Sequence, residues 1–357
     1  MIYPVYTPIL KTKRGEAKAL IELDTPIKNS IVPFFDVLAL KAEAVNGSDV
    51  HEHILKQAAS IISAWKQRGP CYVDLFDVVP TARGMDGAHP VAIIHEKLSA
   101  DFVEVIPVLG IERDIAYKLA IRNIVVAGAN AIAVRLDTED IQLPSVLVAR
   151  ILRLVSEIGA SDLPLHIFLD FRSIEQTASD VIQMQAAKAL VELRKLSPAR
   201  IVFAASAMVS NMGGYKKDTL NILPRRDFLT WGLISNSYPD VHYADYGVVH
   251  PDYFDFDPRV IKPAAKIRYT ADKEWVIVKG ARWQSDTSQH RRLSQMLRAK
   301  EQFRGDDSWG GEYIVSAANG RPKYGTLETW VTIDQNNHIT HTVKQISRVT
   351  TSKGVSV

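Results

Sequence analysis

Five aspartates and two arginines occupy positions where side-chain alternation would bring them together. In AIAVRLD at 131–137, Ile132, Val134 and Leu136 form an aliphatic side, which leaves Ala131, Ala133, Arg135 and Asp137 on the other. In LHIFLDF at 165–171, Leu165, Ile167 and Leu169 share a side, so His166, Phe168, Asp170 and the following Arg172 share the opposite one. Tyr72, Asp74 and Phe76 alternate with Val73 and Leu75 in the same way. Asp36 in IVPFFDV and Asp245 in VHYADYGVV come late in their segments, where mixed patterns leave the facing open. Converging carboxylates of this kind can hold Mg²⁺ or Mn²⁺, or have their pKa values pushed apart for acid and base work, while arginines clamp phosphate or carboxylate. Asp74, Asp137 and Asp170 are therefore the candidate catalytic or metal-binding groups, with Arg135 and Arg172 as candidate substrate clamps. The competing reading makes the same charges salt-bridged layers that close an interior.

Other polar motifs are weaker. The stretch SAMVSNMGGYKKDTLN at 206–221 sets Gly213 and Gly214 before Lys216 and Lys217, a composition suited to a phosphate-binding loop but equally to an exposed one. Lys11, Lys13 and Arg14 in KTKRGE make a second basic loop, or a solvated one with Glu16 opening a helix. The basic amphipathic segment 288–304 and Trp275, Trp283, Trp309 and Trp330 could touch nucleic acid, yet packing roles account for them as well. The ten histidines have no metal spacing; His338 and His341 would point to opposite faces of a strand. Cys71, the single cysteine, opens an apolar strand and reads as an inert core thiol.

Positioning these groups requires a scaffold. Apolar runs rich in β-branched or aromatic residues recur at 2–10, 31–37, 71–79, 103–109, 131–137, 165–171, 200–206 and 241–249. Helical patterns intervene at 15–23, 48–68, 88–99, 112–127, 144–159, 174–196 and 225–237. This alternation predicts a (β/α)8 TIM-barrel-like α/β domain over 1–255, whose active site would sit at the C-terminal ends of the strands. An open doubly wound sheet lacks support, because no G-x-G-x-x-G follows the first strand. After Pro251 the texture changes, with the aromatic-acidic DYFDFDP, strand-like pieces at 267–283, 311–316 and 326–333, and the basic segment; these predict a C-terminal α+β appendix over 256–357.

The chain has 357 residues, 46% hydrophobic and 23% charged, which excludes global disorder. A net charge of +3 excludes a basic coat for polyanions but not a local patch. One cysteine excludes a disulfide framework and favours a reducing compartment. With no signal-like N-terminus and no apolar run of membrane-spanning length, a cytoplasmic protein without membrane association is expected.

YTPILKTKRGEAKAL with IVPFFDV, LPRRDFLTWGLI at 223–234, HYADYGVVHP at 242–251, IRYTADKEWVIVKG at 267–280 and NNHIT at 336–340, taken in order, resemble the phage-type beta family proteins of bacteria and their phages. The resemblance implies a TIM-barrel-like domain and an association with mobile elements and antiviral systems. It departs at Asn337-His338, where a paired histidine would be expected. Two functions follow. One is a module that recognises a nucleic acid, a nucleotide or a phage or defence-system protein through the rim. The other is a metal-assisted phosphoester hydrolase or nuclease using Mg²⁺ or Mn²⁺. A barrel serving chiefly as an oligomeric scaffold is a third.

Overall fold

Eight parallel strands close into a barrel in a computed structural model that describes residues 6–40, 46–252 and 263–352. The chain runs through β1 (Tyr6–Lys11), β2 (Phe34–Asp36), β3 (Cys71–Asp74), β4 (Val105–Leu109), β5 (Ile132–Leu136), β6 (Leu165–Ser173) and β7 (Arg200–Ser206). It then leaves the ring for β8 (Thr219–Pro224) and returns with β9 (Val241–Asp245), which pairs with both β7 and β1. Each ring strand arises from one of the eight expected apolar runs; residues 2–5 of the first lie outside the described residues.

The helices are α1 (Arg14–Ile21), α2 (Thr25–Lys28), α3 (Gly47–Trp65), α4 (Pro90–Ala100), α5 (Ile115–Val126), α6 (Thr138–Ile141), α7 (Pro144–Glu157), α8 (Ser179–Leu193) and α9 (Arg226–Ser237), followed beyond β9 by α10 (His290–Arg298), α11 (Trp309–Asn319) and α12 (Leu327–Ser352). Local chemistry sets their ends. Asn46 caps α3 by accepting the Asp49 N–H at 3.0 Å, and Pro144 opens α7 where no N–H is needed.

Alternation divides the core in two. Ile132, Val134, Leu136, Ile167 and Leu169 face the surrounding helices. Phe34, Tyr72, Ala131, Ala133, Phe168, Val202 and Ala244 fill the interior, with small residues opposite large ones so that the barrel is packed solid. The ring of polar groups above this plug is where function can reside.

β8 joins β11 (Glu274–Arg282), which pairs with β10 (Ala264–Thr270), in an antiparallel sheet outside the barrel. Two expected strands, 311–316 and 326–333, are helical instead. Ser308 caps α11 by accepting the Gly311 N–H at 3.0 Å, and Gly310 lets α11 lie against the backbone of α12 where any side chain would meet the Ile333 carbonyl. Tertiary packing thus overrides the β propensity of Ile314, Val315, Val331 and Ile333. The basic segment expected over 288–304 is helical only as α10, which buries Leu293 and Leu297 and pairs Arg292 with Asp218 at 2.7 Å. The DYFDFDP stretch and the 255/256 division fall largely in 253–262, outside the described residues.

α12 ties this region to the barrel. Ile339, Val343 and Ile346 enter the barrel-side core, Thr332 Oγ1 donates to the Gly15 carbonyl at 3.0 Å, and Asn336 Nδ2 donates to the Ala19 carbonyl at 3.2 Å. Below them, Asp245 accepts the Tyr6 hydroxyl at 2.6 Å and meets His338 Nε2 at 2.9 Å, all three fully buried. Because α12 is a helix, His338 and His341 lie on one side of it rather than on opposite faces of a strand. Among the described residues, no helix is long and apolar enough to cross a membrane.

Candidate functional site

The polar ring begins with Arg135, one residue short of the end of β5 and pointing into the barrel. Its Nη1 reaches Asp74 Oδ2 at 2.7 Å and Asp36 Oδ1 at 3.3 Å, its Nε donates to Asp170 Oδ2 at 2.7 Å, and its Nη2 donates to the Tyr246 hydroxyl at 2.7 Å. Tyr246 in turn donates to Asp170 at 2.6 Å. One guanidinium therefore binds carboxylates from three strands, an arrangement its planar fork of donors suits and a lysine could not reproduce.

A second cation completes the charge balance. Lys11, placed by sequence reading in a loop, is the last residue of β1 and is buried between Asp36 at 2.8 Å and Asp77 at 2.5 Å. Burial opposes the charge of Asp36, but Arg135 and Lys11 outweigh it and hold the carboxyl at about 2. Arg113, from the loop after β4, takes the remaining oxygen of Asp74 at 2.7 Å, joined by the Tyr117 hydroxyl at 3.3 Å.

Above the network lies an open cleft of about 170 Å³, bounded by Phe76, Glu112, Arg113, Asp137, Asp140 and Arg172. The Phe76 ring is 36% exposed, and three guanidiniums surround it: Arg172 at 4.5 Å, Arg135 at 5.0 Å and Arg113 at 5.1 Å from the centroid. Arg172 adopts a left-handed φ of 50°, a conformation that costs a non-glycine residue and recurs at binding sites. Its amide is fixed by Asp170 Oδ1 at 2.8 Å and its Nη2 by Asp252 at 2.8 Å, while Nη1 is shielded from solvent and has no hydrogen-bond partner among the described residues.

Asp137 stands apart from the other two sequence-selected carboxylates. It caps α6, accepting the Asp140 N–H at 3.0 Å through Oδ1. Its neighbour Asp140 is pushed up to about 6 by burial and by the Asp137 charge, although Arg150 pairs with it at 2.8 Å.

The structure therefore brings Asp74, Asp170 and Arg135 into direct contact and puts Asp137 and Arg172 on the same cleft. As a metal centre, the set Asp74, Asp137 and Asp170 does not fit: Asp74 and Asp170 are spent on Arg135, and among the described residues no group of three or more His, Cys, Asp or Glu side chains could hold a metal ion. Asp245 is absent from the ring because Ala244 of β9 and Tyr246, the residue just after it, point inward. At Gly213, Gly214 and Lys216, two of the three backbone N–H groups are engaged within the loop. The Gly213 N–H is bound by Asn211 Oδ1 at 2.7 Å, that of Lys216 by Asn221 Oδ1 at 3.1 Å, and the carbonyls of Met212, Gly213 and Tyr215 turn inward onto the Lys279 ammonium at 2.7–3.1 Å.

Sequence reasoning missed Arg113, Tyr246 and Asp77. Arg113 and Asp77 lie in irregular loops that carry no periodicity, whereas Tyr246 was within reach of the alternation once Ala244 was placed inside.

The family model described as Beta protein matches residues 6–344, nearly the whole chain. Neither a curated protein nor a solved structure matches it.

Proposed function

The chain belongs to the Beta protein family, and from that premise we propose that its barrel mouth recognises a single nucleobase, presented by a nucleotide or by single-stranded nucleic acid, and performs no chemistry on it. The observation that carries this reading is the juxtaposition of exposed Phe76, the Arg113 and Arg172 guanidiniums against its ring and the half-buried Asp137 carboxylate around one small cleft. An unstacked base is a flat, neutral group that stacks on aromatic rings or guanidinium planes and is read along its edge by donors and acceptors together. Phe76 and the Arg172 guanidinium supply the stacking surface, and the partly exposed Arg113 guanidinium on the cleft wall supplies a donor. Asp137, with one oxygen engaged by Asp140, supplies an acceptor.

Size and charge point the same way. A cleft of about 170 Å³ is below the ~300–1,000 Å³ of sites that enclose a whole ligand, so it suits one ring system projecting from a larger molecule. Guanine fits the donor and acceptor pattern best, since arginine pairs with its O6 and N7 while a carboxylate accepts from its N1–H and N2–H groups. A neutral edge also needs no net positive field, in keeping with a chain charge of +3.

Metal-assisted phosphoester hydrolysis is disfavoured because Asp74 and Asp170, two of the three carboxylates it would require, are paired with Arg135. Calorimetric titration with the four nucleoside monophosphates tests the proposal. Saturable binding that favours GMP and weakens at least tenfold in Phe76→Ala is expected. Absence of binding to all four, or binding unchanged in the variant, would contradict it.

A further inference from the structure

A second groove, of about 520 Å³, runs between α1, α11 and α12, away from the polar ring of the barrel. Its floor is one face of α11, where Trp309, Glu312, Tyr313 and Ser316 recur at helical spacing; Ile314 and Ala317 are buried in the appendix core, and Trp309 and Tyr313, half-buried, pack against that core while lining the groove. Gly320 ends the helix with a φ of 93°, a left-handed cap that glycine adopts without cost. The turn brings Arg321 back so that its guanidinium lies 3.5 Å from the Tyr313 ring centroid. Lys18, from the last turn of α1, lies on the opposite wall. Among the described residues, neither Lys18 nor Arg321 forms an ion pair, so two positive charges and two aromatic rings share the groove without a carboxylate neutralising them directly.

This combination selects a ligand. The volume is within the ~300–1,000 Å³ range of small-molecule sites. Trp309 and the Arg321–Tyr313 stack offer faces for a planar ring, Lys18 and Arg321 attract phosphate, and the exposed Glu312 carboxylate can accept hydrogen bonds from sugar hydroxyls. An acidic peptide would leave the aromatic faces unused. We propose that this groove binds a nucleoside 5′-phosphate unit, with its base on Trp309 and its phosphate between Lys18 and Arg321. The site shares no residue with the barrel mouth and stands or falls separately from it.

The unit can come from a free mononucleotide or from a single-stranded oligonucleotide, and fluorescence titrations distinguish the two. The probes are AMP, inorganic phosphate and a labelled ten-nucleotide DNA, each added to full-length protein with Phe76→Ala in the background to silence the barrel mouth. Saturable binding of AMP or the oligonucleotide is expected, with inorganic phosphate at least tenfold weaker than the tighter of the two. Lys18→Ala and Arg321→Ala should each weaken binding about fivefold or more, and Trp309→Phe should weaken it less than Trp309→Ala. Because Trp309→Ala could loosen α11, the solvent-facing Lys18→Ala is the deciding variant. No saturable binding of either nucleotide probe, affinity unchanged in Lys18→Ala and Arg321→Ala, or phosphate binding as tightly as AMP would each overturn the proposal.

Discussion

Arg135 Nη1 and Asp74 Oδ2 are 2.7 Å apart at the mouth of the barrel, with side-chain exposures of only 4% and 0%. The pair is one arm of a guanidinium that also holds Asp36 and Asp170, so removing Arg135 would leave three buried carboxylates without their shared cation. Breaking a buried pair on one side costs about 3–5 kcal/mol, most of it from the stranded charge. Arg135→Met is expected to lower the urea-unfolding free energy at pH 7 by about this amount, and Arg135→Lys by less. If Arg135→Met matches the wild type, the network does not have the structural weight assigned to it.

The same network fixes an acid limb of stability. The folded-state pKa of Asp36 is depressed to about 2 against an ordinary 3.8, so its contribution is fully present above about pH 4 and is lost as the pH falls through 2. Unfolding free energies measured between pH 5 and 2 should fall less steeply in Asp36→Asn than in the wild type. Parallel curves would contradict the assignment.

Glu16 acts with the opposite sign. Buried at the start of α1 and bonded to the Lys11 amide at 2.8 Å, it is pushed up to about 7 by burial from an ordinary 4.5. The folded protein therefore binds the proton more tightly than the unfolded chain, and this contribution, full below about pH 4.5, is lost as the pH rises through 7. Glu16→Gln, which mimics the protonated acid, should gain on the wild type across that window by on the order of 3 kcal/mol. A stability difference that does not change with pH would refute the shift.

Two glycines separate close packing from open loop. At Gly310 an added methyl would meet the Ile333 carbonyl, so Gly310→Ala should cost about 1–3 kcal/mol by pushing α11 off α12. At Gly214 nothing lies within 4 Å of that position, and Gly214→Ala should change the melting temperature little. Equal melting temperatures for the two variants would show that the helices can part without cost.

The barrel was legible because its strands carry a period of two on a regular βα rhythm, and Arg135, Asp74 and Asp170 followed from the same alternation. What alternation cannot say is which charges pair with one another. Whether Asp74 faces a metal or a guanidinium depends on strand register and side-chain reach, and Arg113 reaches it from an aperiodic loop. The appendix was read less well: β-branched residues in α11 and α12 imitate strands, and their helical state depends on Gly310 and on packing against α1, contacts remote in sequence. The Gly213-Gly214 stretch suggested an anion, yet its carbonyls are drawn inward by Lys279, more than sixty residues away in sequence.

The central claim, that a base seats against Phe76 at the barrel mouth, is tested most directly by photocrosslinking with 6-thioguanosine monophosphate and mapping the adduct by mass spectrometry. Adducts on the peptide carrying Phe76, reduced by excess GMP and lost in Phe76→Ala, are the predicted result. Adducts confined to α11 or scattered over the surface, with none near Phe76, would contradict it.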